Sequence, residues 1–193
     1  MKDIVIYGSG GFAREVAQLI EDINERSAQW NLLGFIDDNI ENHGYVINEL
    51  PVLGGLEWIV AKEEIAVVLG IGSPNAKKKV VAKLIDFSNI LFPNLIHPTV
   101  KFSRFNTIGK GNILCEGNIL TTNITIKDFV TINLNCTIGH DTLISSYSTI
   151  LPNASVSGNV IFEERVDVGT NATVIQGKTV GEGTIVGAAA VVV

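Results

Sequence analysis

From Ile96 onward the chain repeats in sixes. Every sixth residue (Ile96, Phe102, Ile108, Leu114, Leu120, Ile126, Ile132, Ile138, Ile144, Ile150, Val156, Phe162, Val168, Val174, Val180, Val186 and Val192) is aliphatic or Phe. A chain that is 46% hydrophobic would give such a run by chance at ~10⁻⁶. No residue is inserted or deleted before Val193. A period of six fits neither a helix at 3.6 nor a flat strand at 2. It predicts short parallel strands joined by tight turns, a β-helix of hexapeptide repeats. A sandwich of ordinary strands would need loops of varying length, and those would break the phase. With three hexads per coil, Ile96, Leu114, Ile132, Ile150, Val168 and Val186 stack as one inner column. The segment then holds about five coils and rises roughly 26 Å at ~4.8 Å each. Small, polar or β-branched residues stand four after each apolar position, and Gly109, Gly139, Gly169, Gly181 and Gly187 follow it directly.

The pattern before residue 95 differs. Ile4 to Tyr7 is an apolar run that ends in Gly8-Ser9-Gly10-Gly11-Phe12-Ala13, and amphipathic spacing follows through Val16, Ala17, Leu19, Ile20 and Ile23. This predicts strand, glycine turn, helix. A second strand, Leu32–Ile36, ends in Asp37-Asp38. A third, Ile65–Ile71, ends in Gly72-Ser73-Pro74, where Ser73 can cap a helix begun by Pro74 and running to about Asp86. Ile90-Leu91-Phe92 then leads into the repeats. The expected fold is an N-terminal Rossmann-like α/β unit with a parallel sheet (residues 1–94) followed by the β-helix (95–193).

Gly8-x-Gly10-x-x-Ala13 matches a phosphate-binding turn, which brings an anion to backbone amides at a helix N-terminus. It serves a purely packing turn equally well, and Asp37-Asp38 can simply begin a loop. Together with Gly72 they all lie at carboxyl ends of parallel strands, where open α/β sheets bind ligands. About ninety residues hold one mononucleotide-binding half, which suits a nucleotide or nucleotide sugar better than a dinucleotide.

The net charge of −6 and the absence of a dense basic run argue against a nucleic-acid partner; Lys77-Lys78-Lys79 reads as a solvated helix face. No apolar run approaches 18 residues, so neither a signal peptide nor a membrane span is expected. Cys115 and Cys136 occupy different places in their hexads and should not pair, as in a reduced, cytoplasmic protein.

Of three histidines, His43 sits in a polar loop and His97 in the join between units, where a structural role is expected. His140 stands two residues after the inward Ile138, where a side chain should leave the wall. It reads either as a surface histidine in a turn or as a proton acceptor, since imidazole takes and returns a proton near neutral pH. Asp141 beside it can favour the protonated form. A histidine zinc site of the carbonic-anhydrase type needs three imidazoles, so no metal is expected.

In order and spacing, Tyr7-Gly8-Ser9-Gly10-Gly11, Phe35-Ile36-Asp37-Asp38, Gly70-Ile71-Gly72, Leu95-Ile96-His97 and Asn133 through His140-Asp141 resemble the hexapeptide-repeat sugar acetyltransferases, the group of UDP-4-amino-sugar N-acetyltransferases and sialic acid O-acetyltransferases. The resemblance implies a left-handed coil, acetyl-CoA as co-substrate and a homotrimer. It implies His140 as general base with Asp141 raising its basicity. A nucleotide-sugar site would comprise Gly10, Gly11, Phe12, Asp37, Asp38 and Gly72, and Asn133 would contact substrate. Thr149, Thr170 and Ala188 would contact acetyl-CoA; Thr170 and Ala188, 18 apart, should stack along one edge. Relatives often carry His where this chain has Phe12, so any contact from that side chain is stacking. They also continue into a capping tail, so an uncapped last coil is expected to expose strand edges. The implied reaction is transfer of acetyl to the amine of a nucleotide-activated amino sugar of the UDP-4-amino-4,6-dideoxy type. A sugar hydroxyl is the alternative acceptor, and an NAD(P)-binding domain on a passive β-helix is a rival of another class.

Overall fold

A computed structural model describes residues 1–193 and divides into two units, Met1–Gly72 with Ala76–Pro93 and Ser73–Asn75 with Asn94–Val193. The first unit follows the order β1 (Lys2–Tyr7), α1 (Gly11–Arg26), β2 (Trp30–Ile36), a 3-10 turn (Ile40–Asn42), β3 (Val46–Ile47), β4 (Leu50–Gly54), α2 (Leu56–Val60), β5 (Ile65–Leu69), α3 (Pro74–Leu84) and β6 (Ile90–Leu91). Its sheet runs β3-β4-β2-β1-β5-β6. Every pairing is parallel except β3 against β4. The continuous apolar runs of β1 and β5 are buried, as strands between covered faces require. Helix α1 contributes Ala13, Val16, Ala17, Leu19, Ile20 and Ile23 to the core. It packs close because two positions are small. A Cβ on Gly70 would lie 2.6 Å from the Ala13 Cβ and from Ile6 Cγ2.

The sheet corrects the expected one in two respects. β5 leaves the ladder at Leu69, two residues early, and a β3–β4 hairpin with α2 occupies what reads in sequence as loop. The hairpin turns on Asn48 (φ 47°) and Glu49 (φ 67°), both left-handed, as a two-residue hairpin loop of the primed type demands. Asn-Glu lacks the glycine that signals such a turn.

The second unit is a three-sided parallel β-helix. Seventeen two-residue strands, from β7 (Leu95–Ile96) to β23 (Val191–Val192), start every six residues and stack in sheets of six, six and five. Every pairing joins residues 18 apart; Leu114, for example, meets Ile96 on one side and Ile132 on the other. The inward column is buried from Leu114 to Val186. From Gly111 to Ala189 each corner turns through a left-handed residue three after the inward one, as at Asn123, Phe129, Asn135 and Asp141. Inside the first coils, asparagines satisfy backbone that the turns leave unpaired. Asn112 Oδ1 accepts from Val130 N at 2.8 Å and Asn118 Oδ1 from Cys136 N at 2.8 Å. Later coils need less of this and place Ala154, Val160, Val166 and Ala172 there instead.

Candidate active site

The corner that follows β14 (Thr137–Ile138) holds His140 and Asp141. Gly139 lies so close to the next coil that a Cβ there would meet Gly158 N and Ser157 C at 2.5 Å. Only a residue without a side chain lets the chain turn there, and His140 then projects outward, about half exposed. Its Nδ1 lies 2.8 Å from Asp141 Oδ2. Asp141 is itself left-handed (φ 59°), a conformation Asp tolerates better than most residues. Hydrogen bonds from His140 and then Asn123 hold its carboxyl below the usual range, so it is an anion at neutral pH. An anionic acceptor at Nδ1 selects the tautomer that carries hydrogen there and leaves the Nε2 lone pair outward. The ring rests on Gly158, one coil on, where a Cβ would lie 2.5 Å from Nε2. The Gly158 N–H is taken up by no carbonyl of the neighbouring coils.

The first unit builds a second cluster at the carboxyl ends of β2, β1 and β5. Gly8, at φ +106°, turns the chain out of β1, and its N–H donates to Ile36 O at 2.7 Å, tying the turn to the end of β2. Gly10 starts α1 with no side-chain cap, and a Cβ on Gly10 or Gly72 would meet nothing within 4 Å. The two aspartates are already engaged. Ser9 Oγ donates to Asp37 Oδ2, and Asn39 N to Asp37 Oδ1 at 2.9 Å. Tyr7 Oη donates to Asp38 Oδ1 at 2.5 Å and Lys83 Nζ to Asp38 Oδ2 at 2.8 Å. Burial pushes the Asp38 carboxyl up, but the hydrogen bonds from Lys83 and Tyr7 outweigh it and leave the group below its ordinary value. Burial, then the bond and charge of Asp38, push the Tyr7 phenol up, so it stays a donor.

Residues 3–84 match the family described as the PglD N-terminal domain. The GDP-perosamine N-acetyltransferase of Escherichia coli O157:H7 is 26% identical over 174 residues, which is 89% of this chain and 77% of that protein. The structure of PerB from Caulobacter crescentus in complex with CoA and GDP-perosamine superposes with a TM-score of 0.90 at 26% identity, covering 100% of this chain and 89% of that one. WeeI from Acinetobacter baumannii AYE is 30% identical, with a TM-score of 0.88 over 100% of this chain and 92% of its own. The chain belongs to the hexapeptide-repeat sugar acetyltransferases. Its coils are the left-handed β-helix of that family.

As a member of this family the chain distributes its expected site residues unevenly. Gly10, Gly11 and Phe12 sit at the start of α1 and Asp37 and Asp38 just past β2. Gly72 follows β5, which pairs with β1, so the sheet order brings all three stretches to one edge. His140 and Asp141 are in contact. Thr170 and Ala188 do share an edge, for Ala189 N donates to Thr170 O at 2.8 Å. That edge follows the sheet containing β13 (Thr131–Ile132), one corner away from His140. Thr149 is buried in a strand of that same sheet, and Asn133 is buried with its Oδ1 accepting from Leu134 N at 2.7 Å. His97 is buried too, its Nδ1 2.8 Å from Thr99 Oγ1.

Gly158, Tyr7, Lys83 and His43 escaped the sequence reading. Gly158 was findable, since it lies 18 residues from His140 and must stack on it. His43, read as a loop residue, has its Nε2 2.7 Å from Asp37 O and braces the aspartate turn; nothing in its sequence surroundings signals that.

Proposed function

We propose that this chain transfers acetyl from acetyl-CoA directly to the amino group of a nucleotide-activated amino sugar, with His140 as general base. The observation that carries the reading is the His140 Nδ1 to Asp141 Oδ2 contact of 2.8 Å on an outward corner. As the neutral amine attacks the thioester carbonyl, Nε2 takes its proton, and the imidazolium is balanced by Asp141. The C–S bond then breaks, and the proton passes from Nε2 to the departing CoA thiolate. The Gly158 N–H, beside the ring and otherwise unengaged, is suited to receive the oxyanion, and such donors count heavily where charge develops. Attack by a cysteine is disfavoured, because burial pushes the Cys136 thiol up to about 11 and Cys115 is also buried.

The nucleotide would lie against the Gly8–Phe12 turn, with its phosphates at the N-terminus of α1 and Asp37 and Asp38 facing its polar edge. The Escherichia coli relative carries GDP-perosamine in its name and the PerB structure is a complex with it, which favours a nucleotide-linked amino sugar and leaves the uridine expectation without support among them. CoA lying along the Thr170–Ala188 edge would meet a His140 most directly if that histidine came from a neighbouring copy, which supports a homotrimer packed on the prism faces. No helix is long and apolar enough to cross a membrane, and acetyl-CoA with nucleotide sugars makes a cytoplasmic setting the natural one.

The decisive experiment is thiol release from acetyl-CoA with UDP- and GDP-linked 4-amino sugars and free sialic acid as acceptors, run on the wild type and His140→Ala. Release with an amino sugar that falls at least a hundredfold in the variant, with its melting temperature kept, is expected. Near-normal transfer by the variant, or release with the hydroxyl acceptor alone, refutes the proposal. Sedimentation showing only monomer at micromolar concentration would remove the trimer.

A further inference from the structure

The two aspartates past β2 are held in different ways. Asp37 is taken up by its own turn: Asn39 N donates to Oδ1 at 2.9 Å, Ser9 Oγ donates to Oδ2, and His43 Nε2 lies 2.7 Å from the backbone oxygen. Asp38 is held from far along the sequence. Tyr7 Oη, at the end of β1, donates to one oxygen at 2.5 Å, and Lys83 Nζ, in the last turn of α3, donates to the other at 2.8 Å. All three residues lie in the first unit. Tyr7 is only 2% exposed, whereas the Lys83 and Asp38 side chains are both about half exposed. An ionised carboxylate has about four lone-pair sites. One donor on each oxygen leaves Asp38 one site on each for a ligand.

We propose that Lys83 and Tyr7 are positioning residues of the nucleotide site: donors on two different elements, one to each oxygen, fix the plane of the Asp38 carboxylate so that it accepts two neighbouring N–H or O–H groups of the nucleoside. The inference rests on the reading of the Gly8–Phe12, Asp37-Asp38 and Gly72 edge as the nucleotide-sugar site. An exposed carboxylate with one partner turns freely about its last torsion, which is broad and has no steep staggered wells. A donor on each oxygen removes that freedom. Stability gives little reason for the arrangement, because a half-exposed ion pair contributes at most about 1 kcal/mol and immobilising a lysine costs side-chain entropy of similar size. Asp37 needs no such support, since its turn supplies both donors. The pair therefore divides its work: Asp37 shapes the loop, and Asp38 receives the ligand.

Lys83→Met and Tyr7→Phe each delete one donor, and Lys83→Arg keeps one. Steady-state kinetics with acetyl-CoA and the active nucleotide amino sugar should show KM for the nucleotide sugar raised about three- to tenfold by Lys83→Met and by Tyr7→Phe, the net worth of one hydrogen bond. The inhibition constant of the matching nucleoside diphosphate, UDP or GDP, should rise by the same factor. KM for acetyl-CoA and kcat should stay within about twofold, and Lys83→Arg should lie near wild type. In an Asp38→Asn background Lys83→Met should cost less than about twofold further, because the group it orients is gone. A 2′,3′-dideoxy nucleoside diphosphate tells the ligand donors apart: its inhibition is indifferent to Lys83→Met if ribose hydroxyls are received, and weakened as before if the base is. Lys83 is half exposed, so Lys83→Met decides the matter even if Tyr7→Phe folds poorly. Wild-type constants in Lys83→Met, an equal rise in KM for acetyl-CoA, or a full additional loss in the Asp38→Asn background overturns the proposal. Asp38→Asn alone is the control for the underlying reading. If it leaves both nucleotide constants at wild type, Asp38 does not face the nucleotide and both readings fall; if it raises them while Lys83→Met does not, only the role of Lys83 and Tyr7 falls.

Discussion

Gly158→Ala places one methyl group beneath the ring that would do the chemistry. The new Cβ would lie 2.5 Å from His140 Nε2, 2.6 Å from Cε1 and 2.9 Å from Cδ2. Non-bonded carbons settle near 3.5–4.0 Å, so the ring must retreat by about 1 Å. The coil backbone is held on either side of the glycine, where Ser157 N donates to Val174 O, Gly177 N to Gly158 O and Asn159 N to His140 O. The ring can move, since it is half exposed, but it does so by rotating about its side-chain torsions, which lengthens the 2.8 Å bond to Asp141 and carries Nε2 off its line. A misplacement of this size can cost on the order of a hundredfold in rate. Stability should barely change. An off-rotamer ring costs about 0.5–1.5 kcal/mol, and replacing a glycine whose φ is not left-handed returns about 0.4–1 kcal/mol through the unfolded chain. The assay is thiol release under saturating acetyl-CoA, alongside a thermal melt. The expected result is kcat down by about a hundredfold with the melting temperature within a few degrees. His140→Ala/Gly158→Ala should be no worse than His140→Ala alone. Activity within threefold of wild type would mean that the resting position of the ring is irrelevant to turnover, and the argument from geometry would fail.

The neighbouring glycine should behave in the opposite way. A Cβ on Gly139 would strike Gly158 N and Ser157 C at 2.5 Å, backbone that cannot step aside, so Gly139→Ala should destabilise the coil by about 1–3 kcal/mol, read as a melting temperature lower by about 2–4 °C per kcal/mol. Cys136 should resist thiol reagents in the folded chain: with its thiol pushed up to about 11, only about one molecule in a thousand is thiolate at pH 8, and labelling should appear only on unfolding. Asp38 has a lowered folded value, so its contribution to stability is complete above the unfolded carboxyl value of ~4 and is lost as pH falls through the lower folded one. Asp38→Asn should therefore reduce the melting temperature at pH 7 and converge with wild type in strong acid. The Lys83–Asp38 pair is half exposed, which caps that difference at about 1 kcal/mol.

The periodic half of this molecule was legible because one constraint acts on every hexad: an inward position that must be apolar, at a spacing the stacked ladders do not allow to drift. The outward corner of His140 follows from the same counting. The α/β half was legible only where strands are long and apolar on both faces. β1, β2 and β5 met that condition, whereas β3 has two residues and its hairpin turns on Asn48-Glu49, so neither alternation nor a glycine announced it. Tyr7 and Lys83 were invisible for a different reason, since each reaches Asp38 from a distant part of the sequence, and His43, though only six residues from Asp37, lies in a polar loop whose path the sequence does not show.

The same counting settles the relation between the histidine and the expected CoA edge. Residues on one corner differ by multiples of 18. His140 and Thr170 differ by 30, which is 18 plus two hexads, so they cannot share a corner in any coil of this register. The sequence contained that fact, and pairing Thr170 with Ala188 used only half of it. Within one chain the proposed base and the proposed CoA edge are separated by a full prism face, and no side-chain movement closes that gap because both corners are fixed by the backbone ladders. If both assignments are right, catalysis requires at least two copies, and a mixture of His140→Ala chains with chains altered at Thr170 should regain part of the activity that each lacks alone. Absence of any recovery, with mixed oligomers shown to form, would mean that the edge and the histidine serve the same chain or that one of them is wrongly assigned.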